Sequence, residues 1–222
     1  TFLNYVVGLG LALLTNKKGI KLKGMWRTIY ILPYAMPAFI SLLVFRLMFN
    51  GIGPINNMLV NFGIERIPFF TDPILAKISV LAINTWVGAP YFMVLLSGSL
   101  TNISSTLYEA AEIDGATKMQ QFKHITLPML LFQTAPVLIL SFAYNFNNFG
   151  AIYLLTDGNP VNSNLKFAGE TDILVTWLYK LTVNQQQFGM AAVISIVLFA
   201  FIATVSLYNF RKSKSFTEED MI

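Results

Sequence analysis

Long apolar stretches, separated by short polar loops, follow one another along the whole chain. Five are visible, at about Thr1–Leu14, Trp26–Phe49, Ile74–Leu100, Ile125–Thr156 and Gly189–Phe210. An apolar helix needs about 20 residues to cross the hydrocarbon core of a bilayer. The pattern therefore predicts an all-α membrane protein with about five membrane helices. The fourth stretch is longer than one span requires and contains Pro128 and Pro136, so we expect it to tilt, kink or break.

The composition excludes several other classes of protein. The 222 residues are 55% hydrophobic and 12% charged, which is more apolar surface than a soluble domain of this size can bury. The net charge of +4 does not indicate nucleic-acid binding, because the basic residues lie at the ends of apolar stretches. The absence of cysteine excludes disulfides and thiolate metal sites. The first stretch is short and does not resemble a signal peptide, so we expect further helices upstream.

Basic residues are unevenly distributed among the loops, and this asymmetry predicts the orientation of the chain. Ten of the fifteen lysines and arginines lie in the first loop, in the loop at 104–124 and after the last stretch. In multi-pass membrane proteins, the cytoplasmic loops carry the excess of basic residues. The loop at 104–124 and the C-terminus are therefore predicted to be cytoplasmic, and the loops at 50–72 and 157–188 to lie outside.

Three further segments have simple interpretations. The outer loop at 50–72 is predicted to contain a short surface helix at Asn56–Phe62. The acidic residues Glu218, Glu219 and Asp220 are predicted to belong to a solvated tail. The single histidine, His124, is predicted to be a solvated or interfacial side chain without a catalytic or ligand role.

The loop between the third and fourth stretches carries a motif with fixed spacing. Ser104 or Ser105 can cap a short helix that starts near Leu107, and Gly115 can end it with a positive φ. Alanines add little bulk, so such a helix can lie in a groove of a partner while Glu109 offers a charge. The motif is E-A-A-x3-G-x9-I-x-L-P, and the chain matches it at Glu109, Ala110, Ala111, Gly115, Ile125, Leu127 and Pro128.

This motif resembles the cytoplasmic loop by which membrane subunits of ATP-binding-cassette importers dock onto their ATPase. The resemblance implies one type I importer transmembrane domain over residues 1–222, in the cell membrane of a prokaryote, with a coupling loop at 104–124. It assigns contact with the ATPase to Glu109, Ala110, Ala111 and Gly115. It also implies three partners, which are a second homologous permease subunit, an ATPase dimer that binds ATP and Mg²⁺, and an extracytoplasmic sugar-binding protein. The chain has no G-x4-G-K-[ST] motif, so it is predicted to be a transport subunit and not an enzyme.

Two groups of polar residues occur near the middle of predicted spans, at helical spacing. Asn84, Gly88 and Tyr91 are predicted to share one face of the third span. The second group, on one face of the fourth span, is Ser141, Tyr144, Asn145 and Asn148. Lipid offers such groups no hydrogen-bond partners. They could therefore join neighbouring helices, with Gly88 allowing a close approach, or they could line a polar cavity whose amides and hydroxyls bind sugar hydroxyls while the tyrosines stack on sugar rings.

A second resemblance favours the sugar cavity. The segments NTWVGAPYFM (84–93), FNNFGAIYLLTDGNP (146–160) and AGETDILVTWLYKLT (168–182) are similar to the larger membrane subunit of maltose and maltodextrin importers. Tyr144 departs from the phenylalanine usual in that family, which keeps the ring but adds a hydroxyl, and Asn147 is predicted to be structural. The resemblance assigns sugar contacts to Asn84, Val87, Gly88, Tyr91, Ser141, Tyr144, Asn145 and Asn148.

Other functions are less well supported by the sequence. A secondary transporter usually needs an ionisable residue inside the membrane, whereas Arg46 and Lys77 lie toward the outer ends of their spans. An intramembrane hydrolase would need paired carboxylates, a Ser–His pair or metal ligands within the spans. A permease for another oligosaccharide, a polyol or glycerol phosphate stays open, although no basic residue is predicted at the midplane to bind a phosphate.

Overall fold

The computed structural model describes residues 1–17 and 19–212, where every regular element is a helix, apart from one antiparallel bridge between Val161 and Gly169. The prediction of an all-α chain is confirmed. Lys18, Lys214 and the acidic tail residues Glu218, Glu219 and Asp220 lie outside the described residues. The helices are α1 (Phe2–Asn16), α2 (Lys23–Ala35), α3 (Ala38–Met48), α4 (Pro54–Asn61), α5 (Pro73–Thr101), α6 (Ser105–Ile113), α7 (Lys118–Gln121), α8 (Leu127–Phe146), α9 (Phe149–Leu155), α10 (Leu174–Tyr179) and α11 (Phe188–Lys212).

Within the described ranges, three helices are long and apolar enough to cross a membrane. They are Pro73–Thr101, Lys118–Phe146 and Phe188–Asn209. The second of them joins α7 to α8 through a π-helical turn at Phe122–Thr126. The pair α2 and α3 meets the same criterion only as a bent span, which would make four. The predicted stretch Thr1–Leu14 lies in α1, whose 15 residues are fewer than the about 20 that a span needs.

The second predicted span, Trp26–Phe49, is not one helix. α2 ends at Ala35 and α3 begins at Ala38, with Pro37 as the preceding residue. Pro37 has no N–H to continue the helical hydrogen bonds, and its ring disfavours helical geometry at Met36. The predicted segment is therefore two helices bent by 89° at these two residues, and the pair meets the criterion for a span only together.

The fourth predicted span, Ile125–Thr156, breaks as expected, but at a different place. Its prolines, Pro128 and Pro136, both lie inside α8, which runs to Phe146. The break comes at Asn147, and α9 then starts with Asn148 as its N-cap. The Asn148 side chain accepts a hydrogen bond from the Ala151 N–H at 3.3 Å, which satisfies a donor that the new helix would otherwise leave unpaired.

The contacts divide the chain into two compact units. The first unit comprises Thr1–Ile31, Ala89–Ala143 and the described residues from Thr204 onward. Gly8 lets α1 approach α5 closely, because a Cβ at this position would lie 2.5 Å from the Phe92 Cβ and 2.9 Å from the Ala89 carbonyl oxygen. The core of the first unit consists of Tyr5, Ala12, Phe92, Met93, Leu96, Ile103 and Leu130.

The second unit comprises Leu32–Gly88 and Tyr144–Ala203. Its core forms where α3 and α5 meet α9, and consists of Leu42, Val80, Ile83, Ile152 and Leu155. The predicted surface helix at Asn56–Phe62 is confirmed as α4, which begins two residues earlier, at Pro54. Asn56 is fully buried, and its amide group exchanges two hydrogen bonds with Ile67 and donates a third to the Asn50 carbonyl. This one side chain therefore holds the outer loop around α4 together.

Candidate functional site: a capped loop helix and an amide cluster

The coupling loop contains the helix that the motif predicts. α6 begins at Ser105, two residues before the predicted start, and Ser104 is its N-cap. The Ser104 hydroxyl accepts a hydrogen bond from the Thr106 N–H at 3.3 Å. The prediction of a serine cap is therefore confirmed, and Ser104 is the residue that provides it.

Gly115 ends α6 in the way that the motif predicts. Its φ is +78°, a conformation that glycine adopts without the steric penalty of a side chain. The Ala116 N–H donates to the Ala111 carbonyl at 2.8 Å, and the Gly115 N–H donates to the Glu112 carbonyl at 3.1 Å. These two bonds form a Schellman motif, which satisfies the last carbonyl groups of the helix.

α6 presents an exposed surface with one uncompensated charge. Glu109 and Ala110 are exposed, Ala111 is half-buried, and Ile113 is 87% exposed. No described residue forms an ion pair with Glu109, whereas Glu112 pairs with Lys118 inside the loop.

The coupling loop is tied to the first turn of the following span. The Tyr108 hydroxyl lies 2.8 Å from the Thr126 hydroxyl, and Thr126 is buried in the π-helical turn. His124 Nδ1 lies 3.0 Å from the Gln120 carbonyl oxygen, one turn earlier in the same helix. A groove of about 400 Å³ runs beside these residues and is lined by Ala111, Asp114, Gly115, Ala116, Gln120, Gln121, His124 and Ile125.

Three of the predicted sugar-contact residues form an amide cluster in the second unit. Asn84 on α5 donates to the Asn145 side-chain oxygen at 3.3 Å. Asn148 donates in turn to the Asn84 side-chain oxygen at 3.0 Å. All three side chains are half-buried. Their hydrogen bonds join the middle of α5 to the end of α8 and the start of α9. The members of the cluster hold these elements together, through amide groups that can both donate and accept hydrogen bonds.

The predicted helical face is wrong for one of these residues. Ser141, Tyr144 and Asn145 lie on α8, but the helix ends at Phe146, so Asn148 does not continue their face. Asn148 reaches the cluster because the chain turns at Asn147 and starts a new helix. Asn147 is exposed, and its backbone carbonyl accepts the Phe149 N–H at 2.7 Å within the turn. The structural role of its side chain stays a prediction.

The remaining predicted contacts are distributed over both units. In the second unit, Val87 and Gly88 lie one turn beyond Asn84 on α5, and Tyr144 is 69% exposed. In the first unit, Tyr91 packs edge-on against Phe92 with ring centroids 5.5 Å apart. The Ser141 carbonyl accepts a hydrogen bond from the Thr1 hydroxyl at 3.0 Å. The structure thus brings Asn84, Asn145 and Asn148 together.

A cavity in the second unit was not predicted from the sequence. It measures about 720 Å³ and lies between the end of α8 and the loop at 157–188, which the basic residues predict to lie outside. We call it the outer-loop cavity. Its lining combines two aromatic rings, two amides and two charged groups. One ring and one amide belong to the end of α8, and the others follow α9, where only turns were expected. The lining residues are Asn145, Phe146, Asn164, Leu165, Lys166, Ala168, Gly169, Asp172, Ile173, Leu174 and Trp177.

A buried ion pair shapes the wall of this outer-loop cavity. The Asp172 side chain is only 2% exposed, and its Oδ2 accepts hydrogen bonds from the Gly169 N–H at 2.6 Å and from Lys180 Nζ at 2.8 Å. Gly158 packs against the same carboxylate, and a Cβ there would lie 2.0 Å from Asp172 Oδ1. Only glycine permits this close approach, because any side chain at position 158 would overlap the Asp172 carboxylate.

We expect Lys180→Met to loosen this loop strongly. Lys180 is 16% exposed, and its loss leaves the Asp172 carboxylate buried without its cation, a change that costs about 3–5 kcal/mol. Hydrogen exchange of the backbone amides between Thr156 and Leu181 should accelerate by about a hundredfold or more, as expected for that loss of free energy.

Lys77→Met is the matched control for this change. Lys77 pairs with Glu170 in the same loop, but its side chain is 50% exposed, and exposed pairs contribute about 0–1 kcal/mol. Equal acceleration of exchange in the two variants would contradict the view that burial of Asp172 makes its ion pair critical.

The family of the chain is decided by its match to a sequence model over almost its whole length. The model describes the inner membrane component of binding-protein-dependent transport systems, and it matches residues 4–214. The chain belongs to this family. The three long apolar helices and the capped loop helix are thus features of a transport-system membrane component, and the importer permease fold expected from the motif is confirmed.

Individual relatives agree with the family. The chain is 41% identical over 219 residues to the galactooligosaccharides transport system permease protein of Bacillus subtilis, covering 98% of this chain and 52% of the relative. It is 42% identical over 231 residues to the maltodextrin transport system permease protein of the same organism, covering 100% of this chain and 53% of the relative. The chain therefore spans about half the length of these curated relatives.

A solved structure has the same fold. It is a bacterial alginate ABC transporter in complex with an alginate pentasaccharide-bound periplasmic protein. Its matching chain is 26% identical with a TM-score of 0.76, and the match covers 96% of this chain and 73% of that one. The helices described here thus follow the path of a known importer membrane domain.

Proposed function

We propose that this chain is the core of a permease subunit that passes neutral oligosaccharides of the maltodextrin type across the cell membrane, driven by a separate ATPase. The observation that carries the proposal is the amide cluster of Asn84, Asn145 and Asn148, which joins two membrane-spanning helices to the start of α9 in a member of a transport family. Amides donate to and accept from sugar hydroxyls, and they do so without a charge that would favour an ionic substrate.

Two relatives support the class of substrate. They are named for galactooligosaccharides and for maltodextrins, which are both neutral chains of hexoses. The other proposed contacts are Val87, Gly88, Tyr91, Ser141 and Tyr144. In this assignment the tyrosine rings stack on sugar rings, as aromatic side chains do on apolar faces.

The coupling loop supplies the link to ATP. Glu109, Ala110, Ala111 and Gly115 are proposed to seat α6 in a groove of a cytoplasmic ATPase dimer, which binds ATP and Mg²⁺. Closure of that dimer on ATP moves α6, and the membrane helices change from inward-open to outward-open. Hydrolysis of ATP by the partner resets them, and this chain carries no catalytic residue.

Two further partners complete the proposed importer. A second homologous permease subunit forms the other half of the pathway, and an extracytoplasmic binding protein delivers the sugar. The similar alginate transporter is in complex with such a periplasmic protein, loaded with a pentasaccharide. This arrangement requires the loop at 104–124 and the C-terminus to be cytoplasmic, as the distribution of basic residues predicts.

Uptake into vesicles reconstituted with the full-length subunit and its partners tests this function. Labelled maltose, maltotriose, longer maltodextrins, galactooligosaccharides and glycerol phosphate are offered with ATP inside the vesicles or without it. We expect ATP-dependent uptake of the neutral oligosaccharides, with maltodextrins preferred, and no uptake of glycerol phosphate. Equal uptake with and without ATP would overturn the proposed coupling to an ATPase. A preference for glycerol phosphate would overturn the proposed role of the amide cluster in binding neutral sugars.

A further inference from the structure

We infer that the outer-loop cavity is a second carbohydrate subsite, which takes the additional glycosyl units of longer oligosaccharides. The inference rests on the proposed function and extends it, since the resemblance assigns sugar contacts only to residues of the membrane helices. No residue of the loop between Asp157 and Gln187 is among those contacts.

The chemistry of the lining fits a chain of hexoses. A pyranose ring presents apolar C–H faces and a rim of hydroxyls. Trp177 offers an aromatic ring of the kind that packs on such faces, and Phe146 adds a second ring, which also packs against Phe201 with centroids 5.4 Å apart. Asn145 and Asn164 offer amides to the hydroxyl rim, and these groups both donate and accept hydrogen bonds. A cavity of about 720 Å³ lies within the range of about 300–1,000 Å³ that is usual for small-molecule sites.

The cavity is continuous with the amide cluster through one residue. Asn145 lines the cavity, and its side-chain oxygen also accepts a hydrogen bond from Asn84. Both contacts lie within the second unit. The cavity therefore begins at the amide cluster, so one oligosaccharide chain can occupy both.

The walls of the cavity are fixed before any ligand binds. The Trp177 indole N–H donates to the Lys166 carbonyl at 2.9 Å, which sets the orientation of the ring. Asp172, also in the lining, is held by the Gly169 N–H and by Lys180. A site whose side chains are already ordered loses less conformational entropy on binding.

Filling the cavity is the experiment that tests this inference. Ala168→Phe adds a ring to a half-buried lining position, and Asn164→Phe adds one at an exposed position on the rim. Val161→Phe is the matched control, because Val161 is an 81% exposed residue of the same loop outside the lining. Uptake of labelled maltose and maltoheptaose is measured per assembled complex for all four proteins, with wild type included.

We expect the two filling variants to lose about tenfold in maltoheptaose uptake, the effect of a steric clash in a packed site, and to keep maltose uptake. The control should carry both sugars like wild type. If both filling variants transport the two sugars in the wild-type ratio, whatever the absolute rate, the cavity is not a subsite and the inference is overturned. A wild-type complex that carries neither sugar would instead overturn the proposed function itself.

Discussion

Glu109→Lys is expected to uncouple transport from ATP hydrolysis and to weaken assembly with the ATPase. Glu109 is exposed on α6 and has no ion-pair partner among the described residues. Reversing its charge removes the proposed pair and places two like charges together in the groove. Loss of a buried interfacial charge pair costs about 2–5 kcal/mol, so sugar uptake should fall strongly. Co-purification of the ATPase with the permease, and uptake into vesicles, measure the two effects.

Glu112→Lys is the matched control, which tests whether docking depends on the charge at position 109 or only on the net charge of the loop. It changes the charge of the loop by the same amount, three residues further along the same helix. Glu112 already pairs with Lys118 within the loop, and exposed pairs of this kind contribute about 0–1 kcal/mol. We therefore expect this variant to assemble and transport nearly normally. Equal losses in both variants would show that the loop needs only its net charge, and the docking role of Glu109 would be wrong.

The coupling helix was predictable because its signals are local in the sequence. Ser104 lies directly before the helix, and Gly115 directly after its C-cap. Capping depends on backbone groups only two to five residues away, so the residue types are enough to place both ends within two residues. The contact between Tyr108 and Thr126 joins residues 18 apart, and no local rule could predict it.

The breaks in the apolar stretches were harder to place because hydrophobicity continues across them. Phe146 and Phe149 flank the turn at Asn147, so the apolar pattern does not show where α8 ends. The adjacent asparagines were a cap signal that could have located the break. Pro37 was a similar signal in the second stretch. A helix usually ends at or before the residue that precedes a proline.

The outer-loop cavity depends on contacts that no sequence pattern contains. Asp172 meets Gly158, 14 residues earlier, because the loop folds back on itself. Asn145 joins the same cavity from the end of a membrane helix. A composition rich in glycine, proline and asparagine predicts turns, but it does not predict which turns meet. The amide cluster was partly predictable. Helical spacing identified its three members, but Asn148 joins the cluster through a new helix and not through the predicted face.

Asn148→Ala and Tyr91→Ala are each expected to reduce sugar uptake several-fold while the ATPase stays bound. A lost hydrogen bond to a neutral partner costs about 0.5–1.5 kcal/mol, and a lost aromatic contact costs about as much. If both residues contact the sugar, the double variant should lose about 1–3 kcal/mol of binding free energy, or roughly 5- to 150-fold in uptake. Uptake per assembled complex is the quantity to measure.

The structure gives Asn148 a second role, and the design of the experiment must separate it from sugar binding. Its side chain caps α9 through the Ala151 N–H and bonds to Asn84, so Asn148→Ala also destabilises the fold by about 0.5–2 kcal/mol. Asn148→Ser keeps an uncharged cap acceptor but removes the amide, so it should restore most of the stability without restoring uptake. If the double variant assembles poorly yet transports at the full rate per complex, Asn148 and Tyr91 only pack helices, and the sugar lies elsewhere.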